Sequence, residues 1–122
     1  MKLYPSLRYQ DAKAAHEWLQ EAFGFEPVAL HEDANGSVVH AEMRWGSDMI
    51  MFGTAREDRY GARVGQGWVY ASCEDPDALY ARAKAAGAEV TMELTDQDYG
   101  SRDFAVRDIE GNQWNFGTYE PG

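Results

Sequence analysis

Basic residues are scarce in this chain. Eleven Lys and Arg stand against 21 Asp and Glu, for a formal net charge of −10. A protein of that sign repels phosphate backbones, so no nucleic-acid partner is expected. The same long-range field attracts cationic small molecules, and it also serves plain solubility. Cysteine is nearly absent. Cys73 stands alone, which excludes an internal disulfide and any zinc site built on two or more cysteines of one chain. A single thiol fits a reducing compartment, and a cytoplasmic location is expected. No apolar run reaches the length of about 18 residues that a spanning helix needs, so no membrane partner is expected. The opening residues, MKLYPSLRYQDAK, lack a long apolar stretch followed by a small-residue cleavage site, and no secretory leader is expected. What remains is 122 residues, 44% hydrophobic and 26% charged. That composition suits one domain with a single modest core. A cavity in so small a domain is easier to wall with a second copy.

The chain repeats itself. Asp11 and Asp75 each open a helical run, and Gly24 and Gly87 each end one. Phe52-Gly53 and Phe116-Gly117 each close a strand signal. These pairs lie about 64 positions apart, roughly half the chain. The first half reads as a strand over 3–9, a helix from Asp11 to Gly24, and strands over 27–31, 37–45 and 49–52. Asn35-Gly36 marks a hairpin turn. The helix carries an apolar stripe of Ala14, Ala15, Trp18, Leu19, Ala22 and Phe23. The second half reads as a strand over 67–73, a helix over 75–86 with Pro76 at its first position, and strands over 89–94, 102–107 and 113–119. The grammar is βαβββ, twice. It predicts an α+β fold with modules over 1–53 and 67–122 and a polar linker over 54–66, in which short helices lie on sheets.

Three stretches resemble a known family. DAKAAHEWLQEAFGFEPV is similar to the first helix of the vicinal oxygen chelate superfamily, WVYASCEDPDALYARAKAAGAEV to its fifth strand and second helix, and DYGSRDFAVRDIEGNQWNFGTY to its last hairpin. That hairpin usually turns on Asp-Pro-x-Gly, and Asp108-Ile109-Glu110-Gly111 departs from it slightly. The similar branch groups glyoxalases, bleomycin-resistance proteins and dioxygenases. The resemblance implies curved mixed sheets around a cavity, with helices on the outer faces and two chains combining to complete the sites. A homodimer is therefore expected. It also implies two kinds of member: metal-dependent lyases, isomerases and dioxygenases, and metal-free proteins that sequester antibiotics. Fold alone does not choose between them.

The family's ligand positions are informative. In the metalloenzymes, His, Gln or Glu come from the first and last strands of each module. Counting from the motifs places Tyr4, Met51, Trp68 and Asn115 there, and the repeat offset relates Tyr4 to Trp68 and Met51 to Asn115. None suits a divalent metal, which prefers imidazole, carboxylate or thiolate. An indole N–H has no lone pair to give. No metal and no cofactor are expected.

Strand alternation then sorts the remaining candidates. Tyr4, Ser6 and Arg8 share a face, as do Trp68, Tyr70 and Ser72. On the third strand, Val39, Ala41, Met43 and Trp45 are expected against the helix, leaving Val38, His40, Glu42 and Arg44 toward the cavity. The expected lining is Tyr4, Arg8, His40, Glu42, Met51, Trp68, Tyr70, Phe104, Gln113 and Asn115, with Tyr99 and Arg102 contributed by the loop that precedes the last hairpin. Aromatic walls with sparse polar groups suit a flat or cationic ligand. His16 and His31 are expected to be exposed, and Cys73 to be packed. The expected function is metal-independent binding or sequestration of an aromatic or cationic small molecule, of the antibiotic-resistance type. Two alternatives stay open. One is an enzyme of the same family (a lyase, isomerase or dioxygenase) using His40 and Glu42 as an acid/base pair, or recruiting a metal through other side chains. The other is a protein whose rings merely fill the concavity.

Overall fold

The computed structural model describes residues 1–61 and 63–122. Of the linker expected over 54–66, Ala62 lies outside the described residues. The elements run β1 (Ser6–Tyr9), α1 (Ala12–Phe23), β2 (Glu26–Glu32), β3 (Val38–Trp45), β4 (Asp48–Thr54), β5 (Trp68–Ser72), α2 (Pro76–Ala85), β6 (Glu89–Asp96), β7 (Arg102–Arg107) and β8 (Gln113–Gly117). Aspartate starts both helices. The Asp11 side chain accepts the Ala14 N–H at 3.0 Å, and that of Asp75 accepts the Ala78 N–H at 3.1 Å. Each satisfies a donor the first helical turn leaves free. Gly24 ends α1 in the left-handed region, at φ 85°, where a Cβ is disfavoured.

Two βαβββ modules result, each with a mixed sheet and a flanking helix. The sheets run β1-β4-β3-β2 and β5-β8-β7-β6. β1 lies parallel to β4 with Ser6 opposite Met51, and β5 lies parallel to β8 with Tyr70 opposite Asn115. Ser6 and Tyr70 thus occupy equivalent places, as do Met51 and Asn115, and the repeat read from the sequence is a repeat of structure. The first strand starts later than expected. Pro5 has no N–H for a ladder; its carbonyl accepts the Met51 N–H at 2.9 Å, and Leu3 and Tyr4 lie exposed ahead of the strand.

One core joins the modules. Ala12, Ala15, Leu19, Ala22 and Phe23 of α1 are buried with Tyr9, Met43, Ile50 and Phe52 of the first sheet and Phe104, Val106, Trp114 and Phe116 of the second. The Phe23 ring sits 4.8 Å from Phe116 and 5.4 Å from Trp114. Large rings so buried contribute about 1.5–3 kcal/mol each. The helices also cap one another. Arg82 of α2 donates to the Glu21 and Gln20 carbonyls at the end of α1, at 2.8 and 2.9 Å. Trp18 of α1 donates to the Ala86 carbonyl at the end of α2, at 2.8 Å. The Glu21 and Ala86 carbonyls are among those a helix terminus leaves without intrahelical partners; the Gln20 carbonyl also accepts the Gly24 N–H at 3.1 Å. Trp18→Phe keeps the ring on Phe23 and removes the bond. It is expected to cost about 1 kcal/mol, read from urea unfolding.

Two expected orientations are corrected. Val38 is buried, 1% exposed, while Val39 is 44% exposed, the reverse of the alternation expected at the start of β3. The cause is an irregularity against β2, where the register passes from His31–His40 to Glu32–Val38. A bulge changes the phase of the pleat locally. Past it the expectation holds, with Ala41 and Met43 buried. Phe104 is the second correction. It is fully buried in the helix-packed core, 5.2 Å from the Tyr80 ring of α2 and 5.3 Å from Phe116, and does not line the opposite face. Its β8 partner is Phe116, so the two share a face, and Asp103 and Ala105 turn to the other. No helix among the described residues is long and apolar enough to cross a membrane.

Candidate functional site

The sheet faces turned away from the helices carry most of the expected site. On the second sheet, Trp68 lies on edge strand β5, 77% exposed. Its indole N–H donates to Asn115 Oδ1 at 3.0 Å. Gln113 Nε2 donates to Thr91 Oγ1 at 2.8 Å and to Asn115 Oδ1 at 3.3 Å. Tyr70 lies beside Asn115 and donates its hydroxyl to the Tyr119 carbonyl at 2.7 Å. These four residues form an aromatic and amide shelf. On the first sheet, Met51 is half-buried opposite Glu42. His40 Nε2 lies 2.8 Å from Glu42 Oε2, and the His31 ring stacks on His40 at 6.2 Å. His31 is exposed, as expected.

Both candidate arginines act as struts. Arg8 donates to both oxygens of Asp58, at 2.9 and 2.7 Å, and to the Arg56 and Gly61 carbonyls. It ties the chain after β4 to the first sheet. That hydrogen bonding holds the Asp58 carboxyl well below the usual carboxylate range. Arg102 bridges Asp77 at the start of α2, at 2.7 Å, and Asp96 at the end of β6, at 3.1 Å. A paired guanidinium has few donors left for a ligand. Arg8 and His40 border a cleft of about 450 Å³ with Val39, Tyr60, Arg56 and Arg63. Tyr70 borders another, of about 470 Å³, lying between the modules with Trp45, Met49 and Val69.

Two residues that no motif singles out, Asp103 and Tyr119, join this face. Asp103 is 6% exposed and sits opposite Gly117, on the same face as the shelf. One oxygen accepts the Ser101 hydroxyl and the other accepts the Tyr99 hydroxyl at 3.0 Å. A Cβ at position 117 would collide with that carboxylate and come within 3.0 Å of the Tyr70 hydroxyl, so glycine there leaves the carboxylate its seat. The Tyr119 ring packs edge-on to Tyr70 at 6.4 Å and to Tyr99 at 5.8 Å. The available signal was an acidic residue alternating with Phe104 and Val106. Placing Phe104 toward the cavity hid it.

The remaining candidates fall outside this face. Burial pushes the Cys73 thiol up to about 11, with Asp103 and Asp75 adding to it, so it is a packed thiol rather than a nucleophile. His16 is half-buried rather than exposed, and its Nε2 atom is buried without a partner. Burial holds its pKa below the usual 6.5. An unfolded chain takes up a proton there before the folded one does, so stability falls as pH drops through 6.5. The melting temperature is expected to fall between about pH 7 and 5, and less so in His16→Leu, by calorimetry across that range.

The family's metal positions can now be tested on chemistry. Tyr4 lies outside the strand, Met51 offers a thioether, the Trp68 N–H points at Asn115, and Asn115 offers an amide oxygen already accepting two donors. Among the described residues, no three His, Cys, Asp or Glu side chains group to hold a metal. The donor set does not fit a divalent ion.

Tandem βαβββ modules, each pairing its first strand in parallel with its last, define a paired-module α+β protein of the vicinal oxygen chelate type. The chain belongs to the Glyoxalase/Bleomycin resistance protein/Dioxygenase superfamily, whose model matches residues 3–116. Among solved structures it is similar to TioX from Micromonospora sp. ML1, at 29% identity and a TM-score of 0.82, covering 98% of this chain and 100% of that one. It shares its fold with lactoylglutathione lyase from Agrobacterium tumefaciens, at 22% identity and a TM-score of 0.72, covering 96% and 92%. Among curated proteins it is 28% identical to the uncharacterized protein Mb0911c of Mycobacterium bovis, over 94% of this chain and 81% of that protein.

Proposed function

We propose that this chain binds an aromatic, cationic small molecule without a metal, in the manner of a sequestering protein, and that two copies complete the site. The observation that carries the reading is the set Tyr4, Met51, Trp68 and Asn115 at the ligand positions. Where metal-dependent members place imidazole and carboxylate, this chain places rings, a thioether and an amide. Exposed rings at Trp68 and Tyr70 suit the flat face of a ligand, and a net charge of −10 favours a cation. Strands β1 and β5 are both sheet edges, and an edge is where a second chain can join. A single thiol agrees with a cytoplasmic setting. Thermal unfolding with planar cationic dyes beside neutral and anionic ones tests the reading. A saturable rise with the cations is expected, about 2.7 kcal/mol at a hundredfold excess over Kd. No rise with any aromatic probe would refute it. Sedimentation equilibrium reports the dimer.

A second reading is catalysis on the first sheet, favoured by the 2.8 Å contact between His40 and Glu42. It predicts turnover that His40→Ala abolishes while leaving ligand affinity unchanged.

A further inference from the structure

We propose that Asp103, flanked by the Tyr70 and Tyr99 hydroxyls, is the subsite for a protonated amine carried by the ligand. The inference rests on the small-molecule-binding reading and names the group that the ligand presents. Asp103 is an acidic side chain 6% exposed, and none of the ion pairs among the described residues includes it. Its chain neighbour Arg102 points instead to Asp77 and Asp96. A buried carboxylate is normally matched by a cation or by a full set of hydrogen-bond donors, because burial with neither costs several kcal/mol. Among the described residues, the only side-chain partners of Asp103 are two neutral hydroxyls, those of Ser101 and Tyr99. An ionised carboxylate can accept about four hydrogen bonds, so capacity remains.

The surroundings suit the same occupant. The Tyr99 hydroxyl donates to the carboxylate and the Tyr70 hydroxyl lies beside it at Gly117, while the Tyr119 ring packs edge-on to both of those rings; aromatic rings attract ammonium groups. The negative charge reaches its neighbours. Burial and then Asp103 raise the Tyr70 hydroxyl pKa, and the hydrogen bond to Asp103 is the leading cause of the rise at Tyr99. Glycine at 117 makes room for the Asp103 carboxylate itself, which holds it beside the Tyr70 hydroxyl. Tyr99 belongs to the turn between β6 and β7 and is 64% exposed. Its hydroxyl stands where a ligand N–H would donate, so it closes the subsite and must yield when the amine enters. A donor N–H is therefore preferred over a quaternary ammonium, which can meet the rings but cannot hydrogen-bond to the carboxylate.

Three probes of one shape test this by amide NMR titration: benzylamine, benzyltrimethylammonium and benzyl alcohol. Benzylamine is expected to bind most tightly and to move the amides of 99–103 and 117–119. Asp103→Asn is expected to weaken benzylamine about tenfold, an ion-pair loss of about 1.4 kcal/mol, and to leave benzyl alcohol unchanged. Tyr99→Phe removes the competing donor and is expected to tighten benzylamine severalfold; it decides the matter if Asp103→Asn fails to fold. Equal binding of benzylamine and benzyl alcohol, or shifts confined to other faces, would overturn the amine subsite and leave the binding reading intact. No binding by any of the three would overturn both.

Discussion

Replacing Asp108 by Ala is expected to destabilise the protein by about 3–5 kcal/mol, the scale of several buried donors left unpaired at once. In a domain of this size that lowers the melting temperature by roughly 10–20 °C, measurable by calorimetry. The residue is 7% exposed and collects donors from three segments. Tyr9 of β1 donates its hydroxyl at 2.7 Å, Trp114 of β8 its indole N–H at 3.0 Å, and Asn112 its amide at 3.1 Å. The backbone N–H groups of Glu110 and Asn112 complete the set. Alanine strands all of these in a buried place, and an unmade buried hydrogen bond costs more than a made one contributes. The Tyr9 bond also ties the last turn of the second module to the first strand. Glu110 beside it accepts the Gln10 and Asp11 N–H groups. Burial first, then the Asp108 charge, raises the Tyr9 pKa far above 10. The folded chain thus keeps that proton while the unfolded chain loses it. Stability is fully present below pH 10 and declines as pH rises beyond it. Tyr9→Phe should flatten that alkaline decline.

The second large effect is at a glycine. Gly53→Ala is expected to cost about 2–3 kcal/mol, the scale of overpacking. A Cβ there would sit 2.5 Å from the Val39 carbonyl oxygen and 3.3 Å from its carbon. Both atoms are backbone, at the irregular start of β3, and the Thr54 hydroxyl pins the neighbouring Val38 carbonyl at 2.8 Å. Neither strand can withdraw without breaking its ladder. Urea unfolding should show the loss as a lower midpoint at unchanged slope.

That glycine shows how much of the molecule could be read in advance. The Phe-Gly repeat at 52–53 and 116–117 was visible in the sequence, as were the aspartate caps, and together they led to two modules of the right order. The reasons for the two glycines were not visible. Gly53 makes room for a backbone carbonyl, Gly117 for the Asp103 carboxylate, and both neighbours come from strands whose register the sequence alone leaves open. Period-two alternation gave the right faces for Gln113 and Asn115, beside the hydrophobic Trp114 and Phe116. It fails at Val38 because a bulge shifts the phase; Phe104 is misplaced for another reason, since its face is set by its β8 partner Phe116, which the sequence does not show. Strand alternation puts Arg8 on the face of Tyr4 and Ser6, and the resemblance puts the loop of Arg102 at the border of the cavity, but neither shows what pairs them. Their partners, Asp58, Asp77 and Asp96, lie far along the chain or on other elements.

The central claim, binding without a metal, is tested most directly by thermal unfolding of the chelator-treated protein with nickel, cobalt, zinc, manganese or iron(II) added singly. Binding to the native state raises the midpoint in proportion to ln(1 + [L]/Kd). With Tyr4, Met51, Trp68 and Asn115 at the ligand positions, no midpoint is expected to rise. A saturable rise with any one of the five ions would contradict the account.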